Sequence, residues 1–258
     1  MFSPAWYQSI AMLDSRLFRS ATKLKAMPSM RNIAKRAIRQ AAASLRGMRY
    51  RGEPEKLVEK GYDEMAADYG NWTLHHQRPD RAKYTELLMQ NLPEGANLLE
   101  LGCGPGDPTT KTLAQRYNVT ANDISEACLA IAHENAPNAT FIKSDMTSLE
   151  FPANSFDAVV AFYSFHHVPR ERYEPLLQNI ANWLKPGGVF MAAMYPYDVD
   201  NLVTGDWHGS TMYWSSFDEA RTIELVTSAG LKIIEQSKES AIEDGKETTF
   251  LWLLAARV

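Results

Sequence analysis

Apolar positions along this chain follow two periods, and the period switches repeatedly. From Pro4, residues Trp6, Ile10, Leu13, Leu17 and Leu24 recur at helical spacing. Pro28 breaks that run, and Ser29 caps a second helix with the stripe Ile33, Ala37, Ala41, Leu45 and Met48. Gly52-Glu53-Pro54 reads as a linker. Beyond it, E-K-L-V-E-K-G-Y-D-E-M-A-A-D-Y-G-N-W predicts a helix from Glu55 with Tyr62, Met65, Ala66 and Tyr69 on neighbouring turns, and a second helix spans Pro79 to Asn91. Then the pattern alternates. N-L-L-E-L from Asn97 is a short buried strand, followed by a helix over Pro108–Tyr117 and a strand N-V-T-A-N-D ending at Asp123. A helix over Ser125–Asn135, a strand ending at Asp145 and the apolar strand F-D-A-V-V-A-F from Phe156 come next. A helix over Arg172–Leu184 ends in K-P-G-G, which opens a fifth strand, V-F-M-A-A-M-Y-P. Tyr197 to Phe217 shows little regular pattern. A helix over Asp218–Ala229 closes at Gly230, and L-K-I-I-E-Q-S and T-F-L-W-L-L-A-A-R finish the chain as a hairpin. Five strand–helix alternations followed by α-β-β point to an α/β fold on a mainly parallel sheet.

With 258 residues, 45% of them hydrophobic, the chain can bury one large core, residues 53–258, with residues 1–52 as an arm. No apolar run approaches the roughly eighteen residues of a membrane span. Cys103 and Cys128 form no disulfide framework and suit a reducing, cytoplasmic compartment. The net charge of −4 hides an asymmetry. Residues 1–52 hold eleven Lys/Arg against one acid, Asp14, leaving sixteen basic and thirty acidic side chains in the body. An acidic body argues against nucleic acid as its partner. Three readings of the basic amphipathic arm stay open: a mitochondrial targeting segment, contact with an anionic membrane surface, and a lid or dimer element over the body.

The chemistry gathers around the turn after the first strand. Residues 97–107 read N-L-L-E-L-G-C-G-P-G-D, with glycines at alternate positions 102, 104 and 106. Lacking Cβ atoms, they let the backbone turn sharply and bring N–H groups onto a ligand. A dinucleotide fingerprint spaces its glycines G-x-G-x-x-G; here the third comes one residue early, which argues for a nucleoside other than NAD. Two adjacent histidines, His166 and His167, leave the fourth strand, and in extended chain at most one of them faces the crevice. No ladder of carboxylates or cysteines at metal spacing surrounds this pair or His75-His76, so no metal is expected. The stretch from Tyr197 to Phe217 carries Trp207, His208, Met212, Tyr213 and Trp214, too aromatic for a solvated loop. A long irregular loop in a compact domain is usually functional, so these five are expected to wall an acceptor pocket; a short helix covering the sheet is the alternative.

E-x-G-x-G-x-G, Asp123, Asp145, F-H-H-V-P and L-K-P-G-G together resemble the class I S-adenosylmethionine-dependent methyltransferases of small molecules, over residues 55–258. The resemblance implies a Rossmann-like fold: a seven-stranded, mostly parallel sheet with the last strand antiparallel and helices on both faces. It implies that Asp123 takes both ribose hydroxyls, since a carboxylate accepts two hydrogen bonds at once, and the spacing of about twenty residues from the glycine turn agrees. Asp145 then accepts from the adenine amine, with Met146 beside the ring, and the start of the 108–117 helix faces the methionine carboxylate. Tyr69, Glu100, Gly102, Cys103, Gly104, Gly106, Ile124 and Phe162 complete the implied cofactor set. His167, ahead of His166, is the implied general base, with Tyr62 orienting the acceptor; a structural histidine bonded to backbone, and a plain core helix for the tyrosines, are the other readings. The implied activity is methyl transfer to O, N or S of a small, largely apolar molecule, leaving S-adenosylhomocysteine; a homodimer is compatible with it. A non-methylating protein that keeps the cofactor, such as a cyclase, fits the same residues.

Overall fold

Leu98, Leu99 and Leu101 are fully buried in strand β1 (Asn97–Leu101), and the sheet is built outward from this strand on both sides. The computed structural model describes residues 50–75, 78–243 and 245–258, of which Gly52–Val258 forms one compact unit. The arm expected over residues 1–52 lies, apart from its last three residues, outside the described residues, as do His76 and the side chain of His75.

β2 (Asn118–Asp123) and then β3 (Thr140–Lys143) pair parallel on one side of β1; β4 (Phe156–Phe162) and β5 (Leu184–Met194) pair parallel on the other. β9 (Lys246–Arg257) runs antiparallel between β5 and the edge strand β8 (Leu231–Glu243), giving the order β3-β2-β1-β4-β5-β9-β8. This is the seven-stranded sheet with an antiparallel last strand that the sequence implies.

Strand alternation distributes the core between two faces. Leu99, Leu101, Val159, Ala161, Phe190, Ala192, Leu251 and Leu253 point to one side, against Tyr173, Leu176, Leu177 and Ile180 of α5 (Arg170–Trp183) and Leu225 and Val226 of α6 (Glu219–Ser228). Each leucine, isoleucine, valine or phenylalanine among them contributes about 1.5–3 kcal/mol on burial. Residues of opposite parity serve the other face: Trp252 stacks on Tyr84 of α2 (Pro79–Asn91) at 4.1 Å and meets Phe162 at 4.7 Å. The remaining helices are α1 (Pro54–His75), α3 (Thr109–Leu113) and α4 (Glu126–Asn135). Ser125 caps α4 by accepting from Cys128 N–H, and Asp218 caps α6 by accepting from Arg221 N–H. Among the described residues no helix is long and apolar enough to cross a membrane.

Three expectations change. Residues 197–217 are a β-hairpin, β6 (Val199–Trp207) and β7 (Ser210–Ser216), rather than an irregular loop or a helix. Its two-residue turn, His208-Gly209, has φ of +49° and +83°, the left-handed pair that a tight hairpin requires. The helix expected over Pro108–Tyr117 is only five residues long. His166 and His167 sit on a 3₁₀ turn, Phe165–His167, and not in extended chain.

The hairpin docks on α1. A Cβ placed on Gly61 would lie 2.7 Å from Met212 Cε and 3.0 Å from the Thr211 carbonyl oxygen, so a side chain here would force the Met212 tip aside and press on the strand backbone. We expect Gly61→Leu to destabilise the domain by about 1–3 kcal/mol through overpacking, despite leucine's better helix propensity. Urea unfolding checks this; an unchanged midpoint would mean that the two elements do not meet here.

Candidate functional site

The strand order reverses between β1 and β4, and a ligand crevice forms beyond the carboxyl ends of the strands at such a point. Here it measures about 820 Å³, including its open mouth, and is walled by the turn after β1, the ends of β2 and β3, the exit of β4 and one side of α1.

From Gly102 to Gly106 each backbone N–H of the glycine turn is already used. Gly102 and Cys103 donate to the Asn122 carbonyl at 2.8 and 2.9 Å, Gly106 donates to the Cys103 carbonyl at 3.2 Å, and Gly104 donates to Asp123 Oδ2 at 2.7 Å. The turn therefore aims a carboxylate, and the expectation that its own N–H groups close on the ligand is corrected. Asp123 Oδ1 accepts from Ser125 N–H at 2.9 Å. Burial pushes the Asp123 carboxyl above its ordinary range, and the backbone N–H groups of Ser125, Gly104 and Ile124 partly counter that. Gly102 has φ +74°, and a Cβ there would stand 2.4 Å from Ser164 Cβ. Ser164 Oγ donates to the Leu101 carbonyl at 2.7 Å, so the exits of β1 and β4 are pinned together.

Asp145 caps the 3₁₀ turn Met146–Ser148, accepting from Thr147 N–H and Oγ1–H at 2.9 and 2.8 Å. Arg172 Nη1 donates to its Oδ2 at 3.0 Å, and Arg172 Nη2 to Glu55 Oε1 on α1 at 3.1 Å.

On the α1 side, His167 Nδ1 lies 2.8 Å from the Tyr213 carbonyl oxygen. A carbonyl only accepts, so Nδ1 carries the proton, and Nε2 accepts from Tyr62 O–H at 2.9 Å. Burial lowers the His167 pKa to about 4, with the Tyr213 carbonyl opposing, so the ring is neutral near pH 7. Burial above all pushes the Tyr62 hydroxyl well above its ordinary value.

Of the residues singled out from sequence, Tyr62, Tyr69, Gly102, Cys103, Gly104, Asp123, Ile124, Asp145, Met146, Phe162 and His167 line the crevice. The others do not. Gly106 lets α4 pack closely, a Cβ there standing 3.0 Å from Ala132 Cβ. Glu100 is buried behind the turn, and His166 lies between Tyr195 and Trp214, with ring centroids at 4.4 and 5.3 Å. Of the five expected pocket-wall residues, Met212, Tyr213 and Trp214 are buried. Trp207 stands behind Tyr62, centroids 5.7 Å apart, and His208 behind Trp72 at 5.1 Å. Their apolar mass seats the tyrosines, and Tyr213 reaches the site through its carbonyl alone.

Sequence reasoning missed Arg81, Tyr163, Asn122 and Glu55, all of which line the crevice. Arg81 sits 4.5 Å over the Tyr163 ring and donates to Thr109 Oγ1 at 3.2 Å, which places a full positive charge at the start of α3. That short helix offers little dipole of its own, and its Lys111 and Thr112 N–H groups are bonded within the turn. Tyr163 holds φ +60°, a left-handed conformation that carries strain in a residue with a Cβ. A tyrosine directly after an apolar strand was the one sequence signal available. Arg81 had none, because its neighbours lie far away in the chain.

Residues 98–188 match a family model described as a methyltransferase domain. The trans-aconitate 2-methyltransferase of Variovorax paradoxus (strain S110) is 38% identical over 113 residues, 42% of this chain and 42% of that one. The 27-O-demethylrifamycin SV methyltransferase of Amycolatopsis mediterranei (strain S699) is 32% identical over 152 residues, 51% of this chain and 55% of that one. The chain thus spans about half the length of the curated relatives it matches. Among solved structures, the 1,6-didemethyltoxoflavin-N1-methyltransferase of Burkholderia thailandensis, with bound 1,6-didemethyltoxoflavin and S-adenosylhomocysteine, superposes with a TM-score of 0.61. At 18% identity, covering 80% of this chain and 91% of that one, the likeness is one of fold.

Burial raises the Glu100 pKa to about 7, partly offset by the Thr110 hydroxyl and the Arg81 charge. Between the ordinary value of 4.5 and about 7 the folded chain holds a proton that the unfolded chain releases, so this group's contribution to stability falls as pH rises through that window. The full fall is on the order of 3 kcal/mol. Glu100→Gln should remove it, gaining stability over the parent between pH 5 and pH 8 in urea titrations. An equal pH response in both proteins would show that the carboxyl is ionised throughout.

Proposed function

The described domain belongs to the class I S-adenosylmethionine-dependent methyltransferase superfamily, and from that premise we propose that it moves a methyl group from S-adenosylmethionine to an O, N or S atom of a small, largely apolar molecule. The observation that carries this reading is the convergence in one crevice of two strand-end carboxylates, Asp123 and Asp145, with the Tyr62–His167 pair across from them.

The crevice suits a ligand rich in hydrogen-bond donors. Two acceptor atoms of lining residues, Asn122 Oδ1 and Glu55 Oε2, are shielded from water and have no hydrogen-bond partner. Such groups are unfavourable by about 1–3 kcal/mol each until a donor arrives. Ribose hydroxyls and an exocyclic amine are donors of that kind. When bound, the cofactor supplies an electrophilic methyl on a sulfonium, and the residues of this chain hold, orient and deprotonate.

Asp123 accepts Gly104 N–H on Oδ2 and Ser125 N–H on Oδ1, with Ile124 N–H also turned to the carboxyl, so at least one of its four lone pairs remains for a ribose hydroxyl. Ile124, Met146 and Phe162 supply apolar wall for the base, and Tyr69 covers the cofactor. Arg81, which lines the crevice and can donate two parallel hydrogen bonds, would hold the amino-acid carboxylate. Alignment of acceptor and methyl lowers the barrier most, by up to about 7–11 kcal/mol. Tyr62 donates its own proton to His167 Nε2, and of its two oxygen lone pairs one remains beside the Tyr69 hydroxyl to receive a proton from the acceptor. As the new bond forms, the acceptor's proton passes to Tyr62 oxygen and the Tyr62 proton to Nε2, while the Tyr213 carbonyl steadies the imidazolium through Nδ1–H. A base held near pKa 4 is weak, which favours the lower end of the general-base range, about 10²-fold.

His167→Gln should then lower kcat by about 10²-fold and leave cofactor affinity in calorimetry unchanged. An unaltered kcat removes the histidine from the chemistry. Asp123→Ala should weaken S-adenosylhomocysteine binding by about 10²-fold or more, since hydrogen bonds to charged groups contribute about 1.5–3 kcal/mol each. The pH–rate profile should show no step at the ordinary histidine value of 6.5, because Nε2 is already unprotonated well below it. A bell with an arm near 6.5 would contradict the buried neutral ring. Stoichiometric S-adenosylhomocysteine during turnover separates methyl transfer from a cyclase on the same fold.

A further inference from the structure

We propose that Glu55, in the first turn of α1, is an acceptor for the exocyclic amino group of the bound purine and so a determinant of base specificity; this rests on the S-adenosylmethionine reading above. The resemblance implies that Asp145 plays that part, but Asp145 is heavily committed. Its Oδ2 accepts from both Thr147 Oγ1–H and Arg172 Nη1, and its Oδ1 from Thr147 N–H. With two lone pairs to each oxygen, Oδ2 is full and Oδ1 keeps one.

Glu55 shares the guanidinium that occupies Asp145. Arg172 Nη2 donates to Glu55 Oε1 at 3.1 Å. The other oxygen, Oε2, is removed from water and has no hydrogen-bond partner, although Glu55 lines the crevice together with Asp145 and Met146. A buried carboxylate oxygen left empty is unfavourable, and an N–H donor from a ligand relieves it. Two carboxylates share a single guanidinium here, so the local charge is negative. A 6-amino purine offers this pair a donor. A 6-oxo purine would present a second acceptor to a carboxylate and be rejected, as polar sites reject analogues that cannot pair with them. Arg172 fixes the reach of Glu55 through a charge-assisted bond and so acts as a positioning residue.

Calorimetry with S-adenosylhomocysteine and its 6-oxo counterpart, S-inosylhomocysteine, tests this on the full chain. The parent protein should bind the amino form about tenfold or more tighter, a difference of about one good hydrogen bond. Glu55→Gln should lower that ratio by about tenfold, because the amide can turn its NH₂ toward the 6-oxo oxygen. Glu55→Asp, which withdraws the acceptor by one methylene and keeps the charge, should weaken the amino form without improving the 6-oxo form. Melting curves of both variants matching the parent's separate a local loss from a folding defect. The proposal is overturned if Glu55→Gln leaves the ratio within about threefold of the parent's, or if the parent does not discriminate. Failure of the parent to bind either compound would instead overturn the cofactor reading itself.

Discussion

A buried carboxylate at the end of β2 has to be held still, and the hydrogen bond from Gly104 N–H to Asp123 at 2.7 Å does this. The rest of the crevice follows from that constraint. Because the turn after β1 must bend back onto β2, Gly102 and Gly104 take left-handed conformations, with φ +74° and +56°. Because Gly102 leaves no room for a side chain, Ser164 can close on the Leu101 carbonyl and draw the exit of β4 against the same turn. Two strand ends on either side of the topological reversal are thereby fixed at once, and the Asp123 carboxylate points into the space between them.

Low dielectric then sets the protonation states. Burial acts in opposite senses on acids and bases, since it disfavours whichever form is charged. It raises Glu100 and Asp123, and lowers His166 and His167. His167 differs from His166 in having both ring nitrogens in defined hydrogen bonds, which sets its tautomer and orients Nε2 toward Tyr62. A neutral histidine of known tautomer against a phenol is a proton acceptor already aligned. An imidazole of ordinary pKa would be partly protonated in the same place.

The aromatic hairpin is where composition misled. Trp207, His208, Met212, Tyr213 and Trp214 invite a reading as a substrate wall, yet their mass packs behind the tyrosines of α1. Removing this layer would leave Tyr62 and Tyr69 without a rigid backing, so the hairpin acts on the site through the side chains it supports. The close approach at Gly61 and the Tyr213 carbonyl tie it to the helix and to His167.

Local pattern by itself determined the seven strands of the main sheet, though not the two of the 199–216 hairpin, and with them the alternation with helices, the glycine turn and the two strand-end carboxylates, because each is written in neighbouring residues and in period. Position at a strand exit also put the pair His166-His167 near the site, and the family resemblance singled out His167 of the two. Element ends and turn types were read less well: the short α3, the 3₁₀ turn at His166-His167 and the two-residue turn of the 199–216 hairpin depend on what packs against them. Only tertiary structure decided that Arg81 and Glu55 reach the crevice, that Arg172 bridges Glu55 to Asp145, and that His167 is held neutral between Tyr62 and Tyr213. Those contacts join residues far apart in sequence. Their energies come from burial and hydrogen-bond geometry, which no local pattern encodes.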